Sequence, residues 1–389
     1  MDNLLRKLVS PFSHLETSYL PVMTWLTKWS IRSFSIPITS EPGSKEFSVI
    51  KKIRHWVIYV CTALLWFFYN VTYSFWFYKN IYNSHGSLPI WQKVIAFYFL
   101  ISYDMIFVLH ICLLFRKREL PQVLKTCVWM EAKCISRGAS DYTKINILSN
   151  LDAAKFSLFV IPVMLGALGS FRPCTPPSIL NEVLLECRDG WGDQDAEMWL
   201  RVVNGAAQWY VWFSLPSVMI ATISRVFLYP SVMVELWIKM IERQLDQYKF
   251  GIHGLSGFRV AQVFQNLVNS VMRKPLITIF VLLTMLSEIT SLYVIITSWE
   301  NISFGVSAFF YLMVIDYFVI IHITLHSLSK PYVVSVKLAK NMKSLRSQNA
   351  WFKKFLTSCP PLKVGMGDAF TGMNASHRKL LEIIPFPSC

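Results

Sequence analysis

At 389 residues the chain is 54% hydrophobic and only 16% charged, with a mean hydropathy of +0.42, which excludes an ordinary soluble domain of this length. Its net charge of +15 comes from 38 Lys and Arg against 23 Asp and Glu. Those bases lie between long apolar runs rather than on one soluble face with interleaved aromatics, so membrane lipid is the expected partner and nucleic acid is not.

The opening stretch MDNLLRKLVSPFSHLETSYL has no continuous apolar run and no small-residue cleavage site, so a removable secretory signal is not expected. A bilayer core requires about 20 mainly apolar residues per helix. Six stretches meet that need: 55–77, 90–115, 154–171, 198–223, 275–298 and 304–326. The fold class is therefore all-α, a polytopic transmembrane helical bundle with six visible spans. The third is short and holds Pro162, Gly166 and Gly169, which predicts a kinked or closely packed helix, because small residues let backbones approach.

With these boundaries, residues 1–54, 116–153, 224–274 and 327–389 hold 32 of the 38 Lys and Arg, and the opposite set of loops holds three. By the positive-inside rule both termini are cytosolic. The acidic loop 172–197 is then outside the cell or in a lumen, where Cys174 and Cys187 either pair as a disulfide or remain two free thiols. No CxxC spacing occurs among the eight cysteines, and neither a metal nor a cofactor is expected.

The cytosolic parts read as helical. Apolar residues at Val232, Leu236, Ile238, Ile241 and Leu245 alternate with charges, Gly251, Gly254 and Gly257 break the chain, and helical spacing resumes from Phe258 to Pro275. A helical hairpin over 224–274 is predicted, packed on itself or on a neighbouring subunit, with the lipid surface as the alternative. The chain thus divides into a cytosolic segment 1–54, a membrane region 55–326 that includes the hairpin, a basic anchor helix and junction 327–368, and an atypical tail 369–389.

Asp104, Glu288 and Asp316 fall inside spans, where ionisable groups are costly unless paired or wetted. Asp104 and Asp316 either line a watered path, fix an interhelical hydrogen bond, or are neutral structural carboxyls. His322 and His326 share a helical face at i, i+4, yet no second histidine box exists, so a metal site and an enzyme are both disfavoured. Aromatics crowd the outer halves of three spans. Tyr98, Trp209, Tyr210, Phe310 and Tyr311 sit deeper than an interfacial belt requires and are the candidate contacts for a small organic ligand, against plain lipid-facing or packing roles.

Together these features resemble the arthropod chemoreceptor superfamily, the gustatory and odorant receptors of insects and their relatives. The local match is WFKKFLTSCPPLKVGMGD at 351–368, similar to the junction before the last helix in receptors of non-insect hexapods. The resemblance implies a plasma-membrane protein with a fourth helix projecting into the cytosol, assembled as a homo- or heterotetramer with related subunits through that anchor. It also implies a chemosensory receptor that is a ligand-gated cation channel for small organic molecules. The family lines its pore with a seventh helix, whereas AFTGMNASHRKLLEIIPFPSC at 369–389 is too polar to span, so no pore residue carries over and a non-conducting truncated isoform is one alternative. A secondary transporter, which would predict an internal repeat, and a G-protein-coupled receptor, which would need an extracellular N-terminus, are the others.

Overall fold

In lipid a backbone must close its own hydrogen bonds, so apolar runs of this length become helices. The computed structural model describes residues 29–30, 33, 36–40, 47–82, 89–137, 158–171, 173–174, 197–248, 252–272, 275–300, 302, 304–344 and 360–364. Five of its helices have the length and apolarity to cross a membrane. The third expected span is described only over Leu158–Phe171, a shorter apolar helix.

In chain order, a small antiparallel hairpin of β1 (Ile38–Ser40) and β2 (Phe47–Val49) pairs Ile38 with Val49 and Ser40 with Phe47. It buries Ile36, Ile38 and Phe47. Helix α1 (Ile53–Phe77) and helix α2 (Ile90–Phe115) follow. Helix α3 (Glu119–Ser136) is not among the sequence expectations, although Leu120, Val123, Leu124, Cys127, Met130 and Cys134 form one buried stripe along it. Helix α4 is Leu158–Phe171. Helix α5 (Met198–Ala221) widens into a π-helical turn at Thr222–Leu228 and continues as α6 (Tyr229–Tyr248). Helices α7 (Ile252–Met272), α8 (Leu276–Ser298) and α9 (Phe304–Ser344) complete the fold.

Two of the described helices run to about twice the thickness of the hydrocarbon core or more. Met198–Gln244 runs 47 residues and α9 runs 41, about 70 and 60 Å at 1.5 Å per residue, against a hydrocarbon core of about 30 Å. Their far halves therefore stand beyond the bilayer, side by side. Lys330 of α9 lies 3.8 Å from Glu235 of α6, and Lys337 lies 3.2 Å from Glu242. The sixth span and the basic segment after it form one helix that runs through Pro331.

Helices α3, α6 and α7 pack on one another in this projecting half. Gly254 and Gly257, expected to break the chain, lie inside α7 instead. The physical reason at Gly257 is close approach: an added Cβ would sit 3.2 Å from two side-chain carbons of Ile241, and Trp237 donates its indole N–H to the Gly257 carbonyl at 2.9 Å. From the junction motif, residues 360–364 return to this bundle. Ser335 Oγ accepts the Leu362 N–H at 2.9 Å, and Asn269 donates to the Lys363 carbonyl at 2.9 Å.

Helix α4 meets α5 through small residues. Asn204 donates to the Gly169 carbonyl at 2.7 Å, and a Cβ on Gly205 would lie 2.8 Å from the Gly166 carbonyl oxygen. Helix α5 is buried along nearly its whole length from Val211 onward, whereas α1 leaves Val57, Leu64, Phe68, Val71 and Phe75 exposed. An apolar face of that size suits lipid.

Candidate functional site

Four helices bring their aromatic residues to one point in the membrane half. Helix α2 supplies Tyr98, Phe99 and Tyr103, α5 supplies Trp212, α9 supplies Phe309, Phe310 and Tyr317, and α1 supplies Trp66 and Tyr73; each of these side chains is buried. Their rings meet largely edge to face, the arrangement that ring quadrupoles favour. Tyr98 and Phe310 have centroids 5.1 Å apart, Phe99 and Trp212 5.5 Å, and Tyr73 and Tyr103 5.4 Å.

Polar atoms punctuate these apolar walls. The Tyr98 and Tyr317 hydroxyls lie 3.2 Å apart, Trp66 donates its indole N–H to Ser214 Oγ at 3.2 Å, and Tyr73 donates to the Ala96 carbonyl at 3.1 Å. On the helices that form the cluster, the buried Trp212 Nε1, Ser287 Oγ of the neighbouring α8 and Ser307 Oγ make no hydrogen bond of normal geometry. Trp212 Nε1 lies near the Tyr103 hydroxyl and Ser287 Oγ near that of Tyr317, neither pair forming a hydrogen bond of normal geometry. A buried donor without an acceptor carries a desolvation cost that a polar ligand atom would relieve.

Of the five candidate ligand contacts, the structure brings Tyr98 and Phe310 together and places the other three elsewhere. Trp209, Tyr210 and Tyr311 are 45%, 39% and 43% exposed. Trp209 stacks flat on Phe213 at 5.4 Å, and Tyr311 meets Trp299 edge to face at 5.8 Å. Sequence reasoning missed Tyr103, Tyr317, Trp66 and Tyr73. Phase along each helix is the signal that finds two of them: Tyr317 is seven residues after Phe310, and Tyr103 follows Tyr98 and Phe99 by five and four.

The intramembrane carboxylates fall outside this cluster. Asp104 accepts a hydrogen bond from Asn70 of α1 and is half-buried. Glu288 and Asp316 are also half-buried. His322 and His326 stack in parallel at 6.1 Å on an exposed face of α9. Among the described residues no three His, Cys, Asp or Glu side chains are grouped to hold a metal. Cys174 is disulfide-bonded, and Cys187 lies outside the described residues.

In the projecting half, Tyr229 of α6 donates to buried Glu131 of α3 at 2.6 Å. Burial raises the Cys134 thiol to about 11, and burial with the adjacent Glu131 charge pushes Cys127 well above the usual thiol range.

No protein-family model matches the chain, and no curated protein does. Solved structures do. The insect olfactory receptor OR5 from Machilis hrabei in complex with eugenol superposes with a TM-score of 0.63 at 14% identity, covering 94% of this chain and 98% of that one. The same receptor in a structure described without eugenol gives 0.58 at 14% identity over 95% and 99%. Long helices that project beyond the membrane, apolar spans, and coverage of nearly the full length of both chains lead to one structural conclusion: this protein has the fold of an insect-type chemoreceptor.

Proposed function

We propose that the chain is a chemosensory receptor subunit of the gustatory and odorant type, a ligand-gated cation channel of the plasma membrane that detects small organic molecules. The observation that carries this reading is the buried aromatic cluster with its unsatisfied Trp212 Nε1, Ser287 Oγ and Ser307 Oγ. Its chemistry suits a compact ligand with an aromatic or apolar body and one or two hydrogen-bonding atoms. Tyr98 and Phe310 contact that ligand directly. Trp209, Tyr210 and Tyr311, exposed on the isolated chain, face lipid or a neighbouring subunit.

In this reading the N-terminus is cytosolic, as the Lys and Arg placement requires, and Cys174 pairs with Cys187 in the outer loop. Four subunits, alike or related, assemble through the projecting halves of α6, α7 and α9. Asp104 with Asn70 fixes the α1–α2 contact, and Glu288 and Asp316 serve helix contacts in the assembly. Opening requires that the ligand bind the open state more tightly than the closed one, because equal affinity shifts no population.

The test is electrical. Cells expressing the full chain, alone and with a related subunit, are exposed to small phenols, alcohols and ketones under voltage clamp. A dose-dependent cation current supports the reading. Saturable uptake of radiolabelled compound without current points to a transporter instead.

A further inference from the structure

Among the described residues Arg225 is the most anomalous charge. It is 2% exposed, and its Nε, Nη1 and Nη2 all lack a hydrogen-bond partner. An isolated buried guanidinium carries a large desolvation penalty unless a counter-charge meets it. Among the described residues only two acidic side chains are buried, Glu131 and Glu235, and both are engaged. Glu131 holds the Tyr229 hydroxyl, and Glu235 holds Lys239 at 2.6 Å with Lys330 at 3.8 Å. Among the described residues, then, no acidic side chain pairs with Arg225.

Two further buried, unpartnered hydroxyls lie on the elements around it. Arg225 lies in the π-helical turn Thr222–Leu228 between α5 and α6, a local widening that recurs at functional positions. Ser224 Oγ, its neighbour, is also buried without a partner, and so is Thr324 Oγ1 on α9, the helix that packs against this turn. Depth supplies the rest of the argument. Counting inward from Met198, Arg225 is 27 residues along a continuous helix, about 40 Å at 1.5 Å per residue and so past a hydrocarbon core of about 30 Å. A helix entering at Met198 therefore carries Arg225 to the headgroup region on the side that the basic loops mark as inner.

We propose that Arg225 anchors a phosphate-binding site at the inner membrane boundary, with the Ser224 and Thr324 hydroxyls as its neutral donors. The planar guanidinium fork matches phosphate oxygens two at a time, and the hydroxyls supply donors a phosphate can accept from. The occupant is either the headgroup phosphate of an anionic lipid that inserts between α5 and α9 or a soluble phosphate that enters from the cytosol.

Thermal unfolding of the delipidated full chain in detergent tests this. The probes are short-chain phosphatidylglycerol, monoolein as a lipid without phosphate, and inorganic phosphate, each titrated into the wild type, Arg225→Gln, Arg225→Lys and, as a control, Lys340→Gln on the exposed face of α9. Phosphatidylglycerol, inorganic phosphate or both are expected to raise Tm by about 3 °C or more in the wild type and in the control. Arg225→Gln loses that rise, Arg225→Lys keeps part of it, and monoolein produces none. A rise with the lipid alone assigns the headgroup, and a rise with inorganic phosphate assigns the soluble anion. No rise with either probe in the wild type, or an undiminished rise in Arg225→Gln, overturns the proposal. Should the Gln variant fail to fold, the Lys variant decides, since a shift equal to that of the wild type would contradict a site that uses the guanidinium fork.

Discussion

The hydroxyls of Tyr98 and Tyr317 lie 3.2 Å apart and join α2 to α9 at the centre of the aromatic cluster. Both side chains are buried, so neither hydroxyl has water as an alternative partner. Removing one by Tyr98→Phe or Tyr317→Phe takes from the other its 3.2 Å partner, while removing both restores an apolar contact. Each single variant is expected to destabilise the chain by about 1–3 kcal/mol, and the double variant by less than their sum. A double-mutant cycle on thermal unfolding reads the coupling directly, and strict additivity would show that the two hydroxyls do not interact.

Gly205 is fixed by contact rather than by backbone conformation. A Cβ there would overlap Ser170 Oγ and lie 2.8 Å from the Gly166 carbonyl oxygen. Ser170 can rotate away, but the carbonyl of α4 cannot move without shifting its helix. Gly205→Ala is expected to cost about 1–3 kcal/mol, and Ser170→Ala in the same chain recovers only part of it. Gly257→Ala, whose new methyl meets the flexible end of Ile241 at 3.2 Å, is the milder change. Comparing unfolding midpoints of the three variants checks the order.

Beneath the membrane, Tyr229→Phe removes the hydroxyl that donates the 2.6 Å hydrogen bond from α6 to Glu131 of α3. A buried carboxylate that loses a donor costs about 1–3 kcal/mol. Limited proteolysis within α3 should accelerate in this variant, while the membrane half resists digestion as before. Equal rates would mean that the hydrogen bond does not hold α3 in place.

How much of this was legible in the sequence depends on what each residue's neighbours could reveal. Helices α1, α2, α5, α8 and α9 are legible because a run of about 20 apolar residues has few other structural uses. Their inward faces are not, since a helix apolar all round carries no stripe to mark which side is buried. Trp209 and Trp212 show the limit. They are three residues apart and chemically equal, yet one is 45% exposed and the other fully buried. Helix α3 is the opposite case, because its stripe from Leu120 to Cys134 is present in the sequence but interrupted by charges that read as a loop. The contact of Gly257 with Ile241 depends on tertiary approach, which composition does not encode.

Cys127 and Cys134 set a pH dependence in the projecting half. Both thiols titrate higher in the folded chain than the ordinary value of 9.0, Cys134 at about 11. Folding thus disfavours the thiolate, and the stability tied to the neutral thiols is complete below about pH 9 and falls as pH rises toward 11. The Cys127→Ala, Cys134→Ala double variant should show a flatter decline of unfolding temperature between pH 8.5 and 10.5, as about two pKa units separate folded from unfolded Cys134. In the wild type, maleimide labelling of both thiols at pH 7.5 should be slow, because little thiolate is present and both residues are buried.

The central claim is that a small organic ligand binds in the cluster around Trp212 and opens a cation conductance. Recording ligand-evoked currents from the wild type and from Trp212→Ala at matched surface expression tests it most directly. The account predicts a current in the wild type and a concentration–response curve moved at least tenfold to the right in the variant, equivalent to about 1.4 kcal/mol of lost binding. A ligand-evoked current unchanged by Trp212→Ala would contradict it.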